Sequence, residues 1–147
     1  MIYLMHGFIG SGKTTRAKEL ERDLGALRIT PDEWMAELFG DDPPADKFRH
    51  YQDVLCRRLE PIWTAHARGD ANVILDFGFW RAESRREMEA YLRDNDLAFE
   101  WVAMETPLDE CRRRNALRNG SGARTLNITD ATFDFLAPRF EPMAKPI

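Results

Sequence analysis

The sequence predicts an α/β fold in which a parallel sheet carries helices on both faces. Three observations predict it. Short β-rich runs alternate with longer helix-like segments. Two of the runs, 2–6 and 72–76, read as apolar stretches of the sort buried on both sides of a sheet. A glycine-rich turn leads from the first run straight into a helical pattern.

Each element has its own justification. The strand at 2–6 ends at His6-Gly7, and a helix follows over 13–23. Residues 27–30 form the second strand, after which Thr30-Pro-Asp-Glu33 sets a capping hydroxyl ahead of a proline suited to the first helical position, opening a helix over 31–39. Asp41-Asp-Pro-Pro44 is a turn or hinge. The longest helix, 46–67, shows an apolar face of Phe48, Tyr51, Leu55, Leu59 and Ile62, and Pro61 stands where it would kink or split that helix. Trp34, Phe39 and Trp80 are expected in the core with this stripe, unless Trp34 and Trp80 serve as substrate platforms beside Asp32 and Asp76. The third strand, 72–76, is followed by a helix over 81–93, and the fourth strand spans 99–104. Thr106-Pro-Leu-Asp109 repeats the start signal before a helix over 107–118. A glycine-containing flexible stretch, 119–124, and a short helix from Thr129 to about Ala137 complete the pattern. No repeat or linker divides the chain, so 1–147 is expected to fold as one domain around one core.

Composition narrows the functions. The 147 residues are 44% hydrophobic and 31% charged, the balance of a globular protein. Against 25 acidic residues stand 21 basic ones, a formal net charge of −4, which lacks the basic bias of a protein dedicated to nucleic acid. The apolar opening Met1–Met5 is too short for a signal-peptide core, and no run has membrane-spanning length. Cys56 and Cys111 make neither a zinc spacing nor a disulfide framework and read as reduced thiols of a cytoplasmic protein. Nothing in the sequence bears on oligomeric state.

The chemistry concentrates in Gly7-Phe-Ile-Gly-Ser-Gly-Lys13-Thr14, which fits G-x-x-x-x-G-K-[ST] between a strand and a helix. Gly7, Gly10 and Gly12 let backbone N–H groups of the loop, including that of Ser11, approach phosphate oxygens at a helix N-terminus. Lys13 would reach the β and γ phosphates, Thr14 would offer its hydroxyl to Mg²⁺, and Thr15 is an added donor to phosphate. Asp76, at the carboxyl end of a buried strand, is either the acidic partner of Mg²⁺ or a cap for the turn Phe77-Gly-Phe-Trp80. Asp32 is either a general base for an attacking hydroxyl or an acidic residue favoured by the helix dipole. Arg114 and Arg118, four apart on one helix face, are placed to neutralise a phosphoryl group in transfer, whereas Arg112 and Arg113 read as a solvated face paired with Asp109 and Glu110. His6, His50 and His66 are given no chemical role.

These residues resemble the small P-loop kinases that include chloramphenicol phosphotransferase, zeta toxin, gluconate kinase and the kinase domain of polynucleotide kinase. The resemblance implies a three-layer P-loop NTPase fold with strand order 2-3-1-4. It also implies that Asp32 is the general base and that Leu75-Asp-Phe-Gly-Phe79 lies near metal and acceptor. By the same resemblance, about 107–124 is a lid-like segment whose Arg114 and Arg118 close on ATP. The family's usual fifth strand has no match in Glu141-Pro-Met-Ala-Lys-Pro-Ile147. The implied activity is transfer of the ATP γ-phosphoryl group, with Mg²⁺, to a hydroxyl of a small-molecule acceptor. A nucleic-acid 5′ end is the less favoured acceptor, and a non-catalytic nucleotide switch is the reading from another class.

Overall fold

The computed structural model describes residues 1–40, 44, 46–121 and 126–144. In chain order the elements are β1 (Ile2–His6), α1 (Lys13–Leu24), β2 (Leu27–Ile29), α2 (Pro31–Phe39), α3 (Phe48–Arg68), β3 (Val73–Gly78), α4 (Ala82–Asp94), β4 (Phe99–Ala103), α5 (Leu108–Asn119) and α6 (Asp130–Leu136), followed by a 3-10 turn at Ala137–Arg139. The sheet is parallel, with order β2-β3-β1-β4. This is a P-loop NTPase-like α/β fold with the expected strand order.

The strand made first in sequence lies inside the sheet. Ile2 of β1 sits beside Val73 of β3 on one side and Phe99 of β4 on the other. Leu4 pairs with Leu75 but His6 pairs with Gly78, so β3 holds one extra residue where Asp76 and Phe77 stand. Such a bulge bends the strand and re-aims its side chains at the carboxyl edge of the sheet. One face of the sheet buries Ile2, Leu4, Val73 and Leu75 against Leu59 and Trp63 of α3 and Leu92 of α4. The other face buries Met5 and Ile74 against Ala17 of α1.

Several expectations need correction. α3 is a single helix of 21 residues that Pro61 does not split. Pro61 and Arg57, whose carbonyl the proline leaves without a helical partner, are both exposed, where that acceptor is open to solvent rather than sealed in the core. The buried stripe of α3 runs through Leu59 and Trp63, leaving Ile62 on the outside at 55% exposure. Trp34 and Phe39 are also exposed rather than core, because α2 buries only Pro31 and Met35. Phe39 instead stacks on Tyr51, with ring centroids 4.6 Å apart. β3 extends to Gly78, past the expected end at Asp76.

Two expected hydroxyl caps do other work. Thr30 precedes α2 but makes no capping bond, and Thr106 lies one residue before the N-cap position of α5, which Pro107 occupies. Thr129 does cap α6, its hydroxyl accepting from Thr132 N at 3.2 Å. The turn expected at 41–44 lies, apart from Pro44, outside the described residues, as do residues 122–124 of the expected flexible stretch. The described residues contain no fifth strand.

Candidate nucleotide and phosphoryl-transfer site

The loop between β1 and α1 turns through two left-handed glycines, Gly10 at φ 76° and Gly12 at φ 89°. Gly12 is the N-cap of α1 and no side chain caps that end, so the first N–H groups of the helix are available to an anion. A Cβ at Gly10 would come within 2.2 Å of the Cys111 carbonyl oxygen, which shows how closely the loop lies on α5. The Thr106 hydroxyl donates to the Ser11 carbonyl at 2.7 Å, and the Arg114 guanidinium reaches the same oxygen at 3.3 Å. The Ser11 hydroxyl is buried and has no hydrogen-bond partner among the described residues.

Asp76 is the focus of the site. Its buried carboxylate accepts from Lys13 at 2.5 Å, from the Thr14 hydroxyl at 2.7 Å and from the Thr30 hydroxyl at 3.0 Å. The donor directions are fixed by chemistry. A guanidinium only donates, so the Thr30 oxygen accepts from Arg28, 2.5 Å away, and sends its proton to Asp76. Arg28 is held in turn by Glu21 at 2.8 Å and Glu33 at 3.1 Å. Thr14 spends its proton on Asp76, leaving its lone pairs for a cation. Sequence reasoning missed this chain from Arg28 through Thr30 to Asp76. The signal that would find it is an arginine in the middle of an otherwise apolar three-residue strand.

Asp32 stands in the first turn of α2 and lines the same cleft. It is accessible from the cleft although protein crowds its other sides, and Gln52 donates to it at a long 3.4 Å. Crowding by protein raises its carboxyl above the ordinary value, the positive charges of Lys13 and Arg118 oppose that, and Asp76 adds to it.

The two arginines of α5 divide. Arg118 lines the cleft, half-buried, with its Nε unpartnered. Burial lowers its pKa and the charge of Asp32 opposes the shift. Arg114 lies against the loop and shares Glu110 with Arg113, and these bonds hold the Glu110 carboxyl down at about 2. Arg113 pairs with Glu110 as expected, but Arg112 pairs with Asp134 and sits 4.6 Å over the Phe133 ring. Trp80 lines the cleft and donates to the Gly7 carbonyl at 3.2 Å. The whole cleft, about 370 Å³, also takes in Thr15, Lys18, Phe48 and Phe77.

Behind the loop, the corner between β3 and α4 is tied by two side chains. Phe79 has a left-handed φ of 47°, unusual for a residue with a side chain. Its carbonyl accepts from Arg85 at 2.8 Å and lies 3.1 Å from His6 Nδ1. The other nitrogen of His6 accepts from Met143 N at 3.1 Å, which fixes the neutral ring with its proton on Nδ1. Arg85 also donates to the Glu141 carbonyl, and Glu141 N donates to the Trp80 carbonyl, so the chain from 140 to 143 is strapped across this corner. His6 received no chemical role from the sequence, and the structure gives it a scaffolding one.

Comparison with known proteins bears on the fold. The sequence profile AAA_33, described as an AAA domain, matches residues 2–143. No curated protein matches the chain by sequence. Among solved structures, a Chloroflexus aurantiacus protein provisionally assigned as a kinase aligns with TM-score 0.75 and 16% identity, covering 99% of this chain and 80% of its own. A chain of the Pnkp1/Rnl/Hen1 RNA repair complex aligns at 0.74 and 18%, covering 99% of this chain and 48% of its own, so this chain spans about half of it. The APS kinase CysC of Mycobacterium tuberculosis, in complex with AMPPNP and APS, aligns at 0.60 and 24%, covering 99% of this chain and 82% of its own. At these identities the likeness is one of fold.

Proposed function

This chain belongs to the AAA domain family, with the fold of the small P-loop kinases, and from that premise we propose that it is a phosphotransferase, moving the γ-phosphoryl group of Mg-ATP to a hydroxyl of a small-molecule acceptor. The observation that carries the reading is Asp32 in one cleft with Lys13, Thr14 and Arg118. A nucleotide switch has no use for an accessible carboxylate beside its phosphate loop, whereas transfer to a hydroxyl needs one.

The residues fit the donor. Left-handed Gly10 and Gly12 leave the loop without side chains on its inner turn, and the Ser11 hydroxyl is a buried polar atom without a partner. Gly7, Gly10, Ser11, Gly12, Lys13, Thr14 and Thr15 would hold the phosphates. The described residues form no cluster of three or more carboxylates, histidines or cysteines, so Thr14 and Asp76 would share Mg²⁺ with phosphate oxygens, the usual manner for this cation. When bound, Mg²⁺ supplies neutralisation of charge on the β and γ phosphates.

In the transfer, the acceptor oxygen bonds to the γ phosphorus, the bond from that phosphorus to the β–γ bridging oxygen breaks, and the hydroxyl proton passes to the Asp32 carboxylate. Lys13 and Arg118 stabilise the charge that spreads over the equatorial oxygens. Arg114, hydrogen-bonded to the Ser11 carbonyl, keeps α5 seated on the loop as the lid-like part of a single domain. The test is calorimetric titration of Mg-ATP followed by acceptor-stimulated ADP release. Micromolar binding with stimulated release supports the proposal, and binding without release by any acceptor sinks it.

A further inference from the structure

One part of the cleft wall is made by Asp32 and Glu33 of α2, Phe48 and Gln52 of α3, and Phe77 of β3. Their polar groups are two carboxylates and one amide. The cleft wall among the described residues carries three cations, Lys13, Lys18 and Arg118. Lys13 lies 2.5 Å from Asp76 and Lys18 lies 3.3 Å from Glu33. Arg118 is bonded to Asn115 at 3.3 Å, and its Nε meets no partner among the described residues. Arg28, just behind the wall, is committed to Glu21 and Glu33. Lys13 and Lys18 are therefore matched to carboxylates before any acceptor arrives, and the donor phosphates have first claim on Lys13 and Arg118.

A carboxylate, sulfate or nucleotide phosphate entering this end would meet Asp32 and Glu33 and, with the donor phosphates in place, no uncommitted cation among the described residues of the cleft wall. Leaving a charge unpaired in a confined site, next to like charges, costs more than the contacts return. The remaining surface is aromatic. Phe48 and Phe77 are half-buried, and Phe77 is anchored on the core cluster of Leu59 and Trp63, so its ring is a firm wall rather than a loose flap. The Gln52 amide offers both a donor and an acceptor, the pair of functions that an alcohol hydroxyl also has.

We infer that the acceptor of this cleft is an uncharged alcohol bearing an aromatic or alicyclic ring, whose hydroxyl meets Asp32 and Gln52 and whose ring packs on Phe48 and Phe77. What becomes of the hydroxyl rests on the phosphotransfer reading above; what binds rests on the wall with a nucleotide in the phosphate loop. Aromatic packing gives affinity without charge, so binding is indifferent to salt, unlike that of an anionic acceptor held by ion pairs.

The experiment is ligand-observed NMR on protein saturated with Mg²⁺ and the β,γ-imido analogue of ATP. It compares a panel of neutral ring alcohols with a panel of sugar acids, nucleotides and 5′-hydroxyl oligonucleotides, each at low and high salt. The expected result is salt-independent binding confined to the neutral panel, weakened at least tenfold by Phe48→Ala and by Gln52→Ala, with less than twofold change in affinity for the nucleotide analogue. Preferential, salt-sensitive binding of an anion overturns the inference, and so does unchanged affinity of the neutral ligands in both variants. ADP release separates the two readings: turnover of an anionic acceptor leaves the kinase standing and removes this acceptor class. Neutral ligands that bind as expected without ever stimulating release support the wall and remove the kinase.

Discussion

At the scale of the residue, the contact between Lys13 and Asp76 decides the most. The Asp76 side chain is fully buried and that of Lys13 nearly so. Lys13→Ala therefore removes the cation meant for phosphate and also leaves a buried carboxylate with only two hydroxyl donors. Breaking one partner of such a pair costs about 3–5 kcal/mol. The expected outcome is loss of Mg-ATP binding together with a lower melting temperature. Adding Asp76→Asn should recover much of the stability but none of the binding, as calorimetry and thermal melts on the three proteins would read; a single variant as stable as the parent contradicts the pairing. For Asp32→Asn the expectation is retained nucleotide binding and a transfer rate lower by roughly 10²–10⁴-fold. A base must be ionised to act, so kcat/KM of the parent should fall as pH drops through the Asp32 pKa, which crowding sets above the ordinary carboxylate value. An acid limb at or below the ordinary value would remove crowding as the cause. That Lys13, Thr14, Asp76 and Asp32 lie at one edge of the sheet was legible, because fixed spacing and strand ends announce their places. Arg28 and the job of Thr30 were not, since hydrogen bonds across the sheet leave no periodic trace in the chain.

At the scale of the element, the phosphate loop and α5 behave as one piece. Gly10→Ala must fit a side chain at φ 76°, where left-handed backbone costs roughly 1–2 kcal/mol, and must also push its Cβ away from the Cys111 carbonyl. The expected result is a drop in stability and in Mg-ATP affinity together. Gly25→Ala serves as comparison, having similar φ but nothing within 4 Å, and should show only the smaller backbone cost without loss of affinity. Equal effects of the two would contradict the seating of loop on helix. The elements themselves were readable almost throughout, because burial on two faces writes apolar strands and amphipathic spacing writes helices. The failures share a cause: Pro61, Ile62 and Phe39 lie where a helix meets solvent, and there sequence pattern does not say which side faces out.

At the scale of the whole molecule, strand order was legible only through resemblance, since local pattern does not say which strands pair. The strap at 140–143 makes stability respond to acid. Burial lowers the pKa of His6, with Arg85 adding to this and carbonyl bonds opposing it. The unfolded chain thus takes up a proton that the folded one refuses. Stability is complete above the ordinary histidine value near 6.5 and declines as pH falls below it toward the lowered folded value. Melting temperature should fall over that window in the parent and fall less in His6→Gln; identical slopes would assign the decline elsewhere. The position of β1 has a consequence for synthesis. It emerges from the ribosome before its sheet neighbours, which begin at Val73 and Phe99, and the bond from Met143 to His6 spans all the elements between. While its neighbours are being made, an apolar strand waits without partners, exposed to any other unpaired edge. Crowding of nascent chains is the hazard that this topology sets for its own production.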